Sequence, residues 1–225
     1  MKNKTILSVF LLTVLTVNYA QAQLNFGARA GANFSQVQGT VPIPITFMGA
    51  SPALKTGLQL GMFGENMFSE KIGIQFGLSF MQQGCKFEAT ETLIWSMNYL
   101  QIPIDLMVKF GKFFLHTGPY VSFGLTGKAK SDGLDDISLF KAIADDGWAM
   151  KRFDAGLRSG MGLDFNGFQI GFSVGIGLMN LFSPEDFKGI LHGHEAIDTK
   201  NLNIALTFAY VFQNNNSRHR SGHRW

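Results

Sequence analysis

The chain has little charge and almost no cysteine for its length. Only 16% of its 225 residues are Asp, Glu, Lys or Arg, and Cys85 is the single cysteine. Soluble domains carry about 25% charged residues. One cysteine excludes a disulfide scaffold and a cysteine-based zinc site. Because there is also no run of about 20 apolar residues, a bundle of transmembrane helices is excluded, and one large or two small domains remain.

The first 22 residues have the pattern of a secretory signal peptide. Lys2 and Lys4 precede the apolar stretch 5–19, and residues 20–22 (AQA) fit an A-x-A cleavage site. The alternative is a membrane anchor, but this stretch is too short and contains too many polar residues to span a bilayer well. We therefore expect residues 1–22 to be removed on export.

After residue 22, large apolar side chains recur at every second position. In residues 72–80 each even position is large and apolar, whereas each odd position is Gly or polar. This period of two indicates strands with one apolar face. Eight such strands of about ten residues have the count and length of a small transmembrane barrel, and an even count leaves no open edge. The eight segments are 24–34, 54–67, 72–80, 100–110, 113–126, 152–165, 168–178 and 201–212.

Short and long connections alternate between these segments. The short links are residues 68–71, a tight turn at Gly111, and Asn166-Gly167, a pair that favours a type I′ hairpin. The long links are predicted as loops on the opposite rim, where outer-membrane barrels face the exterior. Within the third of them, residues 137–144 are predicted as a short helix with Asp136 as N-cap. The four loops are 35–53, 84–97, 129–150 and 182–198.

The distribution of charge indicates whether the polar face of the strands points into the barrel or out of it. A soluble lipocalin-like barrel has the same strand count but an apolar interior. Here the apolar face carries no charge within any strand, glycines crowd the polar face, and phenylalanines collect near both strand ends. These features favour an all-β, eight-stranded antiparallel up-and-down transmembrane barrel of the outer-membrane type, with its polar face inside. The inward charges are Arg29, Glu65, Asp105, Lys109, Asp154 and Arg158.

Several short runs resemble a known family. YLQIP at residues 99–103 is similar to the Y-L-x-I-P motif of PorT-type, porin-family proteins, whose fold is the outer membrane protein beta-barrel domain of Gram-negative envelopes. GARAGANF at residues 27–34 resembles the first strand of that family, and GPY at 118–120 and YVF at 210–212 also look like it. The resemblance implies the fold and the location, and it brings no catalytic residues. Family members usually stop at or just after the final aromatic residue, whereas this chain continues as a polar, basic tail, 213–225.

The inward charges have two interpretations. As a selectivity path they would conduct small ions. As a paired plug they would fill a lumen that is just wide enough for side chains, and we favour this interpretation. Arg29 is expected at the depth of Asp105, and Glu65 is expected near Lys109. His116 also projects inward. As a functional group it would form a proton-handling pair with Asp105 or Asp154, but we favour the alternative, a structural histidine that is only hydrogen-bonded to polar neighbours.

The sequence favours a monomeric, non-enzymatic surface protein of the outer membrane, surrounded by lipid, whose four loops meet an envelope or extracellular partner. A narrow channel is the alternative, and a lipid-modifying enzyme is a third, disfavoured possibility because no loop carries a convincing Ser/His/Asp set. No cofactor or metal site is predicted, since His192 and His194 lack a complete ligand set.

The formal charge of +3 does not indicate a nucleic-acid partner. Without the two lysines of the signal peptide and the three arginines of the tail, 14 Lys and Arg face 16 Asp and Glu. The barrel and its loops are therefore slightly acidic, and no nucleic-acid partner is expected.

Overall fold

A computed structural model of the protein describes residues 24–39, 51–88, 92–131, 137–140, 149–182 and 198–212. The predicted signal peptide and the tail 213–225 lie outside these ranges. Within them, no helix is long and apolar enough to cross a membrane. The described chain forms ten strands: β1 (Leu24–Gly39), β2 (Ser51–Ala53), β3 (Lys55–Met67), β4 (Ile72–Glu88), β5 (Thr92–Phe110), β6 (Phe113–Ser131), β7 (Ile137–Ser138), β8 (Phe153–Phe165), β9 (Phe168–Gly177) and β10 (Thr199–Phe212).

Eight of these strands close into one antiparallel ring. The order is β4-β3-β1-β10-β9-β8-β6-β5, and β4 pairs with β5 to complete the circle. The short strands β2 and β7 add to β4 and β6. Each of the eight predicted segments falls in one barrel strand, so the predicted up-and-down barrel is confirmed. Closure pairs the backbone groups of every barrel strand on both sides, as a lipid environment requires.

The three predicted short links are confirmed, and they define the short-turn rim of the barrel. Asn166 and Gly167 have φ values of 56° and 101°, and Gly111 has 62°. Positive φ at both Asn166 and Gly167 matches the right-handed twist of the flanking strands, as in a type I′ turn. In the link at residues 68–71, Ser69 Oγ accepts a hydrogen bond from the backbone N–H of Ile72 (3.0 Å).

A band of large apolar side chains faces outward above this rim. On β4 the band covers residues 72–80, which is about the nine to eleven residues that a strand needs to cross a bilayer. Most of its side chains are about 40–70% exposed outside the closed ring, so the band faces lipid. The aromatic side chains at its lower edge are Phe26, Phe110, Phe113, Phe165, Phe168 and Phe212.

Beyond the band, the alternation inverts, and the predicted loop 84–97 is wrong. Residues 84–88 and 92–97 are strand, and β4 and β5 stay paired as far as Glu88 and Thr92. In this upper part Cys85 and Phe87 are buried inside, whereas Lys86 and Glu88 point outward. The inversion follows from the medium, because strands that leave the lipid meet water on their outer side. We call residues 81–88, 92–99 and 126–131 the platform.

Two of the other long links begin later than predicted, because β1 continues to Gly39 and β6 continues to Ser131. The fourth link ends as predicted, since β10 begins at Thr199, but it begins earlier, because β9 ends at Gly177. The predicted helix at residues 137–144 is wrong at its start, since Ile137 and Ser138 pair with β6 as β7. Asp136 and residues 141–144 lie outside the described ranges. Pairing with a barrel strand satisfies the backbone of β7, which a single helical turn would leave largely unpaired.

Candidate functional site

The lumen contains a layer of ion pairs nearest the short-turn rim. Lys109 Nζ lies 2.9 Å from Glu65 Oε2 and 3.5 Å from Asp164 Oδ2, so one ammonium group serves two carboxylates. The amides of Gln75 and Gln169 each donate a hydrogen bond of 3.0 Å to Glu65 Oε1. Charged groups in such a confined interior are stable only when they are paired in this way.

A second group of charges lies farther along the lumen. Arg158 binds the carboxylate of Asp105 through two nitrogens: its Nε lies 3.0 and 2.9 Å from the two oxygens, and its Nη2 contacts Oδ2. His116 Nδ1 lies 3.2 Å from Asp105 Oδ2. Arg29 donates to Gln75 Oε1 (2.6 Å), and its guanidinium stacks 4.3 Å from the ring centre of Phe63. The Arg158–Asp105 pair has the two-pronged geometry that makes arginine–carboxylate bonds strong.

The upper lumen is polar but has few charges. Asp154 accepts a hydrogen bond from Asn201 Nδ2 (3.0 Å), and Gln101 Nε2 donates to Ser122 Oγ (3.2 Å). Asp154 makes no ion pair with any residue in the described part of the chain. In this layer, amide and hydroxyl groups replace the ion pairs found nearer the short-turn rim.

An apolar cluster, which we call the cap, closes the lumen on the long-loop side. Trp95 lies at its centre, with its ring 4.9 Å from that of Phe87 and 6.1 Å from that of Phe182. Arg152 covers Phe140, 5.0 Å from the ring centre, and donates to the carbonyl of Gly124 (2.9 Å). The platform and the segments around it supply the buried members: Val37, Cys85, Phe87, Trp95, Met97, Tyr99, Leu139, Phe140, Met150, Leu181 and Phe182.

The lumen brings together most of the charges that the sequence placed there, and some of their partners are the expected ones. Glu65 and Lys109 are neighbours, as the sequence suggested. His116 lies beside Asp105, and it makes no hydrogen bond to Asp154. Arg29 makes no ion pair within the described part of the chain and contacts Gln75 and Phe63 instead.

Sequence reasoning missed the cap, the two glutamine amides and Asp164. These glutamines and Asp164 occupy the polar, inward positions of the alternating pattern, so the period of two alone would have placed them in the lumen. No group of three or more potential metal-ligating side chains occurs in the described residues. His192 and His194 lie outside the described ranges, and the nearby Asp198 is exposed and pairs with Lys200 (2.9 Å).

A closed eight-stranded ring with an apolar outer band and a polar lumen defines an outer-membrane β-barrel. A family model described as "Outer membrane protein beta-barrel domain" matches residues 19–183. The chain therefore belongs to this family and is an outer-membrane protein.

Solved structures show a similar architecture. The chain resembles Neisserial surface protein A, with 8% identity and a TM-score of 0.50 over 83% of this chain and 97% of that one. It also resembles Ail of Yersinia pestis, solved with the heparin analogue sucrose octasulfate, with 15% identity and a TM-score of 0.45 over 84% of this chain and 99% of that one. At such identities the likeness concerns the fold alone. No curated protein matches the chain significantly.

Proposed function

We propose that this outer-membrane barrel is a non-enzymatic, monomeric surface protein that does not conduct solutes and acts through its platform and long loops. The observation that carries the proposal is the filling of the lumen by ion pairs at one end and by the cap at the other. Eight strands enclose an interior that is just wide enough for side chains. Two large side chains of the cap, Trp95 and Phe182, are at most 2% exposed, which argues against an open path.

The platform is the part of the barrel best suited to meet a partner. Residues 81–88 of β4 extend roughly 26 Å along the strand beyond the lipid-facing band. Their outward side chains are polar or charged, and Lys128 and Lys130 are exposed on β6, on the other side of β5. Since long loops of outer-membrane barrels face the exterior, we place the platform outside the cell. Export by the signal peptide at residues 1–22 and membership of the PorT-type subgroup belong to the same proposal.

Single-channel recording tests the closed lumen directly. The refolded protein is inserted into a planar bilayer, and a Trp95→Ala, Phe182→Ala double variant serves as the comparison. We expect the wild type to be silent, and a rise in conductance on removing the two rings would support the cap as the closure. Steady conductance from the wild type would refute the proposal and favour the narrow channel.

The enzymatic alternative has its own test. His116 is the one histidine among the residues that the structure describes. It is buried in the lumen beside Asp105, away from either mouth of the barrel where a lipid could enter. We therefore expect no hydrolase or acyltransferase activity on phospholipid or lipopolysaccharide. Activity that disappears on substitution of a loop serine or histidine would overturn this part of the proposal.

A further inference from the structure

The charges in the lower lumen balance, whereas those in the upper lumen do not. Arg29, Lys109 and Arg158 face three carboxylates, those of Glu65, Asp105 and Asp164. Asp154 is the remaining inward carboxylate of the described strands, and it is 1% exposed. The groups that interact with it as hydrogen-bond donors are all neutral: the amide of Asn201, the backbone N–H of Ala155 and the hydroxyl of Tyr120. A buried carboxylate is costly unless a positive charge compensates it.

Tyr120 lies next to Asp154 in the lumen, and its hydroxyl interacts with the Asp154 carboxylate. Neither Asp154 Oδ1 nor this hydroxyl makes a short, well-aligned hydrogen bond within the described chain, so a small ligand has both oxygens available. Ser122 pairs directly with Asp154, so Tyr120 is the diagonal neighbour of Asp154 on the inner wall. The two oxygens lie over glycines that pair with each other: a Cβ on Gly177 would lie 3.1 Å from Asp154 Oδ1, and one on Gly156 would lie 2.6 Å from the Tyr120 hydroxyl.

The same layer of the lumen contains further unpaired polar atoms. Buried polar groups are normally satisfied by protein, by water or by a ligand. Most of the unpaired buried side-chain atoms of the described residues lie here, between the Arg158–Asp105 pair and the cap. They are Asn33 Oδ1, Gln59 Oε1, Ser79 Oγ, Gln83 Oε1, Tyr120 Oη, Asp154 Oδ1 and Asn203 Nδ2.

We infer that this layer is a closed binding site for one small monovalent cation, held by the Asp154 carboxylate and neighbouring hydroxyl and amide oxygens. One carboxylate among neutral oxygens matches one positive charge. Divalent cations usually take more carboxylates, and transition metals favour imidazole or thiolate. The cap excludes water from above, and the Arg158–Asp105 pair borders the site from below. The inference does not depend on what the platform binds.

The test compares cations at constant ionic strength. The protein is refolded into detergent micelles in potassium, ammonium or N-methylglucamine chloride, and urea unfolding is followed by the heat-modifiable shift on gels. N-methylglucamine is too large for the site. Because a ligand that binds only the folded state stabilises it, we expect the folded-to-unfolded ratio at a given urea concentration to be roughly tenfold higher when K⁺ or NH₄⁺ is present at about ten times its Kd. A preference between the two separates an alkali ion from an ammonium group.

Three variants make the result specific. Asp154→Asn keeps the shape but removes the charge, and it should abolish the difference between cations. Tyr120→Phe should weaken the difference. Asp198→Asn makes the same chemical change at an exposed carboxylate and should leave it unchanged. The inference is overturned if the wild type shows no difference between cations, or if Asp154→Asn retains the full difference.

Discussion

Trp95 on β5 and Phe182 after β9 pack edge to face, with their ring centroids 6.1 Å apart. β5 and β9 are three steps apart in the ring, so this contact crosses the lumen. It ties the platform to the segment that follows β9, and it lies where water would otherwise enter from the long-loop side. The two rings therefore contribute both to stability and to closure.

Shortening the Trp95 side chain should destabilise the barrel strongly. Trp95→Ala leaves a cavity in the cap, and such a truncation costs about 3–5 kcal/mol. Urea unfolding in micelles measures the loss, and Trp95→Phe should restore most of the stability. Phe26→Ala, which removes an outward ring from the opposite rim, is the control and should cost much less. Equal losses for Trp95→Ala and Phe26→Ala would mean that Trp95 is not part of a packed core.

The lipid-facing part of the fold could be predicted from sequence because alternation, strand length and turn chemistry agree there. In residues 72–80, for example, period two indicates the strand and its two faces at once. The platform was missed because its alternation has the opposite sense. Cys85 and Phe87 continue the inward parity of Gln75, but they are apolar, and outward Lys86 and Glu88 resemble a solvated loop. A change of medium along one strand produces this reversal.

The partners of Arg29 and Arg158 could not be predicted. Parity places Arg29, Asp105 and Arg158 inside, but the tilt of the strands decides which of them meet. The register aligns β6 with β8 so that Gly118 lies opposite Arg158, and the guanidinium reaches across it to Asp105. Leu139 and Phe140 were also beyond prediction as cap residues, because a short irregular segment carries no periodic signal.

The boundary between lipid and water on β5 can be located by paired substitutions. Ile104 points outward in the middle of the apolar band, and Ser96 points outward on the platform. Ile104→Arg should cost about 2–4 kcal/mol, as expected for a cation on the lipid face near the midplane. Ser96→Arg should stay within about 0.5 kcal/mol. Folding yield and urea midpoints in vesicles give both values, and similar costs at the two positions would contradict the proposed boundary.

The Lys109 ammonium should couple energetically to Glu65. Lys109→Met leaves the buried carboxylate of Glu65 and the partly buried carboxylate of Asp164 without their shared cation. Glu65→Gln removes one of these two negative charges. A double-mutant cycle should give a coupling free energy of about 0.5–3 kcal/mol, as found for residues in one network. Additive effects of the two substitutions would show that the 2.9 Å contact contributes nothing to stability.

The Asp105–Arg158 pair should be more costly to break than to replace. Asp105→Asn leaves the 5%-exposed guanidinium of Arg158 without its carboxylate, and breaking one side of such a pair costs about 3–5 kcal/mol. The double variant Asp105→Leu, Arg158→Met removes both charges and should recover most of that loss, since replacing a buried pair by apolar groups is often neutral. Urea midpoints of the wild type and both variants test this. A double variant that is as unstable as Asp105→Asn would show that His116 and the neighbouring polar groups need the ion pair as well.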